Sequence, residues 1–367
     1  MRETVGIVRC PDYQENHLRE AVTRLLEMLR LDRISRPDTL LFKPNMLSAR
    51  RPEEGVTTHP GVLKVLGEAL AGRILIGDSP ANTARPIEEY WDTCGLTAVA
   101  ASLKASLVKF EEPVFLSLKV RKKNVKIPVA AISRKIPMVN LPKLKTHGLT
   151  VITAATKNLY GCIPGYQKSL LHRLFLSPQD FSYLLIELYR MLRDNIFFHL
   201  VDAITIMDGN GPSAGRLRGP GYLIAGRDAL AVDIVCGKLL GLKAAEIPFL
   251  KLYDEIYGLP KVDLLGDRLL PLSDVALPGL SASSSLLKLP FVSSAARLMR
   301  PFFTIRPVLR EKNCRHCLAC VRVCPVSAIS REPKILEAKC IRCLCCFEVC
   351  PHKAIQLEKS WLARRLT

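Results

Sequence analysis

What this chain lacks narrows its identity first. No stretch approaches the ~20 consecutive apolar residues of a membrane-spanning helix, and the opening "MRETVGIVRC" reads as a strand, not as a signal-peptide apolar region. The expected compartment is therefore the cytoplasm. No GxxxxGK[ST] occurs, which excludes a P-loop, and no GxGxxG follows the first strand, which argues against a standard dinucleotide fold. "GNGPSAG" is glycine-rich but too irregular to stand for either. Acidic residues are few, 34 Asp+Glu against 53 Lys+Arg, leaving a net charge of +19. Aromatic and basic residues are not interleaved, so this surplus does not read as a nucleic-acid surface.

The surplus is uneven. Gly279 to Thr367 hold 16 Lys+Arg and 5 Asp+Glu, so +11 of the +19 falls in the last quarter of the chain. The same segment holds most of the 13 cysteines. Without a secretory signal these do not read as a disulfide framework. Cys314, Cys317, Cys320 and Cys324 form C-x2-C-x2-C-x3-C followed by Pro325, and Cys340, Cys343, Cys346 and Cys350 repeat it before Pro351. "CPVSAI" and "CPHKAI" extend the repeat.

Three thiolates two residues apart on a turning backbone reach three irons of a cubane. The fourth, leading into a proline turn, points away to the other cluster. The spacing therefore predicts one [4Fe–4S] cluster at Cys314, Cys317, Cys320 and Cys350, and a second at Cys340, Cys343, Cys346 and Cys324. Zinc sites instead favour paired C-x2-C units with histidines or a longer gap. Cys345 reads as a packed neighbour of a ligand. Cys10, Cys94 and Cys236 are scattered and read as core, while Cys162 directly follows "TAATKNLYG" and is set apart as a candidate near that stretch. Each oxidised cubane with four thiolates carries roughly −2, so the region stays basic. Such a surface would steer an acidic donor of the ferredoxin or flavodoxin type.

Residues 1 to 277 alternate short apolar runs ("VGIVRC", "TLLFKPN", "RILIGDS", "IPMVNLP", "FHLVDAITIMDG", "YLIAG") with amphipathic helical patterns. That alternation predicts an α/β domain with a mainly parallel sheet flanked by helices. "ASLVKFEEPVFLSLKVRKKNVKIPVAAIS" reads as a β-hairpin insertion. Ser177 before Pro178, and Asp228 before "ALAVDIVCGKLLGL", are expected helix caps. A linker is expected over 278–304, a small α+β ferredoxin-like domain over 305–360 and a basic tail over 361–367. Within the linker, "FVSSAARLMRPFF" sets arginines beside bulky apolar groups, but Pro290 and Pro301 at its edges make it a poor membrane anchor.

In an open parallel sheet, ligands bind beyond the carboxyl ends of the strands. Polar groups collect there: Lys43 and Asn45 after "LLF", Asp78 and Ser79 after "ILIG", Lys143, Lys145 and His147 after "MVNLP", and Asp208 and Asn210 after "AITIM". Lys157 and Asn158 follow in "TAATKNLYG". The expected site binds a small anion through Lys143, Lys145 and Lys157, with Asn45 and Asn158 as neutral donors.

Taken together, "FKPN", "TTHP", "GDSP", "NLPKLKTH…TAATKNLYG", "DGNGP" and "CIRCLCCFEVCPHKAI" resemble the domain-of-unknown-function 362 family, many members of which carry a ferredoxin module after that domain. The resemblance spans nearly the whole chain. It implies that Asn45, His59, Asp78, Lys143, Lys145, His147, Lys157, Asn158, Asp208 and Asp233 lie on recurrent motifs, but the family carries no settled activity. The leading expectation is an iron–sulfur oxidoreductase in which His147 or His59 donates a proton, with Lys145 and Asp208 completing the catalytic set. Asp78 and Asp233 join Asn45, Lys143, Lys157 and Asn158 as binding groups. Two alternatives stand beside it: a non-enzymatic electron carrier or assembly partner, and a metal-dependent or lyase-type enzyme with structural clusters, in which His59, His147 and Asp78 would hold a further metal.

Overall fold

The computed structural model describes residues 2–32, 37–70, 72–80, 86–120, 123–278 and 305–359. The expected linker, beyond Pro278, and the basic tail lie outside these residues, and the "FVSSAARLMRPFF" segment lies with them. Among the described residues no helix is long and apolar enough to cross a membrane.

The α/β domain is built on one eleven-stranded sheet. Its strands are β1 (Arg2–Arg9), β2 (Thr39–Pro44), β3 (Arg73–Ile76) and β4 (Ser106–Leu107). A separate antiparallel hairpin, β5 (Pro113–Val120) and β6 (Lys123–Ala130), forms the insertion expected from sequence. The sheet resumes with β7 (Met138–Leu141), β8 (Lys143–His147), β9 (Val151–Thr153), β10 (Ile196–Asp208), β11 (Arg216–Arg218), β12 (Tyr222–Gly226) and β13 (Lys261–Gly266). Its backbone order is β13-β1-β12-β10-β7-β2-β3-β4. All neighbours on that path pair in parallel except β12, which runs against both β1 and β10.

Burial explains the layering. In β2 every residue after Thr39 is buried, as a parallel strand covered on both faces requires. Helices Glu15–Met28, Pro60–Leu70 and Leu96–Leu103 pack one apolar cluster onto one face. Helices Pro178–Leu192, Ala229–Leu239 and Pro248–Tyr257 pack another onto the opposite face. Helix Glu15–Met28 shows the pattern, burying Leu18, Ala21, Val22, Leu25 and Leu26 at i, i+3, i+4 spacing. The two expected caps are in place. Ser177 Oγ accepts from Asp180 N at 3.0 Å ahead of Pro178, and Asp228 Oδ1 accepts from Ala231 N at 2.8 Å.

The C-terminal module is a small α+β unit. Strands β14 (Ile305–Leu309) and β15 (Ile355–Lys359) pair antiparallel, with helices Ala319–Val323 and Cys345–Val349 between them. The sequence repeat reappears in its backbone. His316, Leu318 and Ser327 have positive φ in the first half, and Arg342, Leu344 and Lys353 take the same conformation at the matching places in the second.

Candidate functional site

The cysteines are positioned by those left-handed turns, which curl each C-x2-C around a central space. One hollow is lined by Cys314, Cys317, Cys320 and Cys350, and a second by Cys324, Cys340, Cys343 and Cys346 together with Cys345. Each hollow contains one of the crossed sets that the spacing predicts. At both crossover cysteines a backbone amide points at sulfur: Ala328 N to Cys324 Sγ and Ala354 N to Cys350 Sγ, each 3.2 Å. Such bonds stabilise an anionic thiolate ligand. Among the described residues no three His, Cys, Asp or Glu sit closely enough to hold a single metal ion. A zinc ion, with bonds of about 2.3 Å to sulfur, would draw its thiolates together. Each hollow offers the four thiolates that a cubane takes, so the donor set fits two clusters. Anaerobically isolated protein should therefore carry eight irons per chain. Cys324→Ser should reduce the second cluster's content while the first keeps its four; equal loss from both would contradict the crossed assignment.

Against this module the α/β domain presents a cavity of about 60 Å3. Asn45, Asp78, Lys145, His147, Lys157 and Asn158 all line it, joined by Ser79, Tyr160, Lys168 and His172. The far wall is the ferredoxin module, through Val323, Cys345, Glu348 and Val349.

Lys145 is fully buried, and no carboxylate among the described residues forms an ion pair with it. Its ammonium donates to Asn45 Oδ1 at 2.8 Å and to the Val56 carbonyl at 2.6 Å. Asn45 donates on to Asn158 (3.0 Å), Asn158 to Asn140 (2.8 Å), and Asn140 Nδ2 lies 2.9 Å from His199 Nδ1. This amide chain fixes which face of each side chain points where. Burial, with the charges of Lys157 and Lys143 acting in the same direction, pulls the Lys145 pKa down to about 7. Lys168 donates to the Ser79 carbonyl at 2.8 Å and is drawn by burial to the same value. Lys157 lies over the Tyr160 ring at 4.8 Å and the Phe181 ring at 5.7 Å.

Lys43 pairs with Asp78 at 2.9 Å beneath these groups, and Asp78 Oδ2 also accepts from Met46 N. Gly161 makes this approach possible, since a Cβ there would stand 2.2 Å from Asp78 Oδ1 and 2.5 Å from Lys43 Nζ. His147 Nδ1 accepts backbone N–H groups from Leu149 (3.1 Å) and Thr150 (3.4 Å), which leaves the proton on Nε2. Nε2 lies 3.3 Å from Glu348 Oε1, so imidazole and carboxylate join the two domains. Burial alone would raise the Glu348 carboxyl, but His147, His172 and Lys157 outweigh it and hold the group at about 2. Burial lowers His147 and takes His172 down to about 4.

Four residues expected at the site stand elsewhere. Lys143 shares its strand with Lys145, but the register of β10 against β8 jumps, so Asp202 faces Lys143 while Met207 faces Lys145. Lys143 is consumed by Asp202 at 2.8 Å and the Tyr13 hydroxyl at 2.6 Å, and no anion need satisfy it. His59 stacks on Tyr13 at 3.8 Å between ring centroids, with its backbone N–H on Asp202. That position also removes it from any metal shared with His147 and Asp78. Asp208 is held by Arg216 (2.9 Å) and Arg218 (3.4 Å) at the β10–β11 turn. Asp233 accepts from Ala155 N (2.6 Å) and Thr156 N (2.9 Å), supporting the short helix that carries Lys157. Burial pushes the Asp233 carboxyl up to about 7.

Sequence reasoning missed Lys168, His172 and Glu348. Lys168 and His172 sit four apart on helix Gln167–Leu174, a same-face spacing that was available to be read. Nothing local marks Glu348, whose role depends on where the module docks. Cys10, Cys94, Cys162 and Cys236 are all buried core, while Cys345 lies on the cavity wall.

The fold and cysteine geometry define an iron–sulfur protein, a mixed α/β domain carrying a two-cluster module. The chain belongs to the family described as "Domain of unknown function (DUF362)", which matches residues 40–238, more than half its length. Two 4Fe-4S binding domain matches cover residues 307–330 and 333–356, and the chain binds two [4Fe–4S] clusters. A thylakoid-associated protein of Synechocystis sp. is 29% identical over 255 residues, 68% of this chain and 78% of its own. A solved Thermotoga maritima protein aligns over 64% of this chain and 61% of its own length, at 13% identity and a TM-score of 0.40.

Proposed function

We propose that this protein is an oxidoreductase that reduces a small anion bound in the cavity between its two domains. The supporting observation is the composition of that cavity's two walls. One carries Lys145, Lys157 and Lys168; the other carries Val323, Cys345 and Val349, direct chain neighbours of the ligands Cys324, Cys346 and Cys350. Bound at their cysteines, the two clusters supply one electron each, the pair needed to reduce one bond.

The protein's own residues supply the rest. With Lys43, four ammonium groups face two carboxylates, Asp78 and Glu348, a surplus of two positive charges when all are ionised. An arriving anion raises the pKa of Lys145 and Lys168 and draws protons onto them. Lys145, held near neutrality and oriented by Asn45, is the proton donor we assign to the reduced product. His147 is not, because its Nε2 proton is committed to Glu348. The electron donor we propose is an acidic protein of the ferredoxin or flavodoxin type, meeting the exposed Arg315, Arg322 and Arg342 around the clusters. The proposed compartment is the cytoplasm.

Mass spectrometry of small molecules released from anaerobically purified protein tests this reading. An anion should accompany the wild type and be depleted from Lys157→Met; equal recovery from both would sink the proposal.

A further inference from the structure

The two halves of the module are near copies, matched in cysteine spacing, in left-handed turns and in the N–H···S bond at each crossover cysteine. Alone they would give two clusters in closely similar surroundings. The α/β domain breaks that equivalence. It reaches the carbonyl of each crossover cysteine, but with different chemistry. At Cys350 the donor is the Arg50 guanidinium, at 3.0 Å, with Arg50 only 6% exposed. At Cys324 it is the neutral hydroxyl of Tyr166, at 3.4 Å, on a residue 39% exposed.

The other charges are divided: Arg315 lines the first hollow and Arg342 the second, and the buried Lys157 acts on Cys345 beside the second, while one further pair of positions favours the first. Arg322 donates to the Cys317 carbonyl beside the first cluster, and its counterpart in the repeat, beside the second, is Glu348. Arg50 also pairs with Glu54 at 2.8 Å, through Nη1 and not the Nη2 that reaches the Cys350 carbonyl, but Glu54 is one-third exposed, so solvent screens it more strongly. Reduction adds one negative charge to a cluster, and a buried cation nearby favours that state.

We propose that Arg50, acting through the Cys350 carbonyl, sets the cluster at Cys314, Cys317, Cys320 and Cys350 at a higher reduction potential than its partner. The module then holds one higher- and one lower-potential cluster, and the α/β domain imposes the difference. The inference rests on the two clusters alone and does not depend on the proposed reaction.

A potentiometric titration of the full chain with both clusters, read by electron paramagnetic resonance, tests it. The wild type should reduce in two separate one-electron steps. Arg50→Gln should move the higher step negative by about a tenfold change in the reduction equilibrium, about 59 mV for one electron, leaving the lower step in place. Arg50→Lys, which keeps the charge, should restore most of the shift. Glu54→Gln removes the counter-charge without touching the module and should move the higher step positive, which keeps the test alive if Arg50→Gln fails to assemble. A single step in the wild type overturns the proposal. So does an Arg50→Gln shift shared equally by both steps, or no shift in either Arg50→Gln or Glu54→Gln.

Discussion

Asp202→Ala should lower stability by about 3–5 kcal/mol, the cost of leaving one member of a buried ion pair uncompensated. Asp202 is fully buried on β10, and its carboxylate ties together four segments. Oδ2 accepts from Lys143 Nζ at 2.8 Å and from His59 N at 3.0 Å, while Oδ1 accepts from the Tyr13 hydroxyl at 2.9 Å. Removing it strands the Lys143 ammonium against the Tyr13 hydroxyl and leaves the His59 amide without its acceptor. At about 2–4 °C per kcal/mol for a domain of this size, the thermal midpoint should fall by roughly 10 °C. Adding Lys143→Met removes the stranded charge, so the double variant should recover part of the loss. If Asp202→Ala melts with the wild type, the pair contributes nothing and the network around Tyr13 has another purpose.

Lys145→Met should have the largest effect on chemistry and a small one on folding. The substitution removes a buried charge that no carboxylate among the described residues pairs with, so stability should hold or rise slightly, and eight irons should remain. Turnover should drop by about 10²–10⁴, the usual contribution of a positioned general acid. The pH dependence has a definite sign. With a pKa near 7 in the free protein, Lys145 is the protonated donor below that value, so kcat/KM should fall as pH rises through about 7, while kcat, set by the anion-bound form, should fall only at higher pH. The falling limb should vanish in Lys145→Met. Folding is linked to the same group in the other direction. Its folded pKa lies below that of the unfolded chain, about 10.4, so between about 7 and 10 the unfolded state binds more protons. Stability should therefore rise with pH across that window, and Lys145→Met should flatten the rise.

Much of this architecture was legible from residues alone, and for physical reasons. The crossed cluster ligands follow from local spacing, because a C-x2-C turn has few ways to aim two thiolates. The layered fold follows from alternation of buried strands and amphipathic helices. Ser177 and Asp228 cap their helices because capping is decided within four residues. The site was legible only in part. Lys143 and Lys145 share a strand face by simple alternation, yet an irregularity in β10, outside their own segment, sends them to different partners. Asp208 looked like a strand-end ligand, and its partners Arg216 and Arg218 come from the next turn of chain. Glu348 was invisible as a functional residue because its meaning arises when the module meets His147.

In the proposed reaction, electrons held by the clusters leave through the cavity. Its most direct test is to reduce the eight-iron protein anaerobically and add a small-molecule extract, following the return of cluster absorbance. The wild type should reoxidise, while Lys145→Met, with its eight irons intact, should stay reduced far longer. Equal reoxidation of the two proteins, or none in either, would contradict the account.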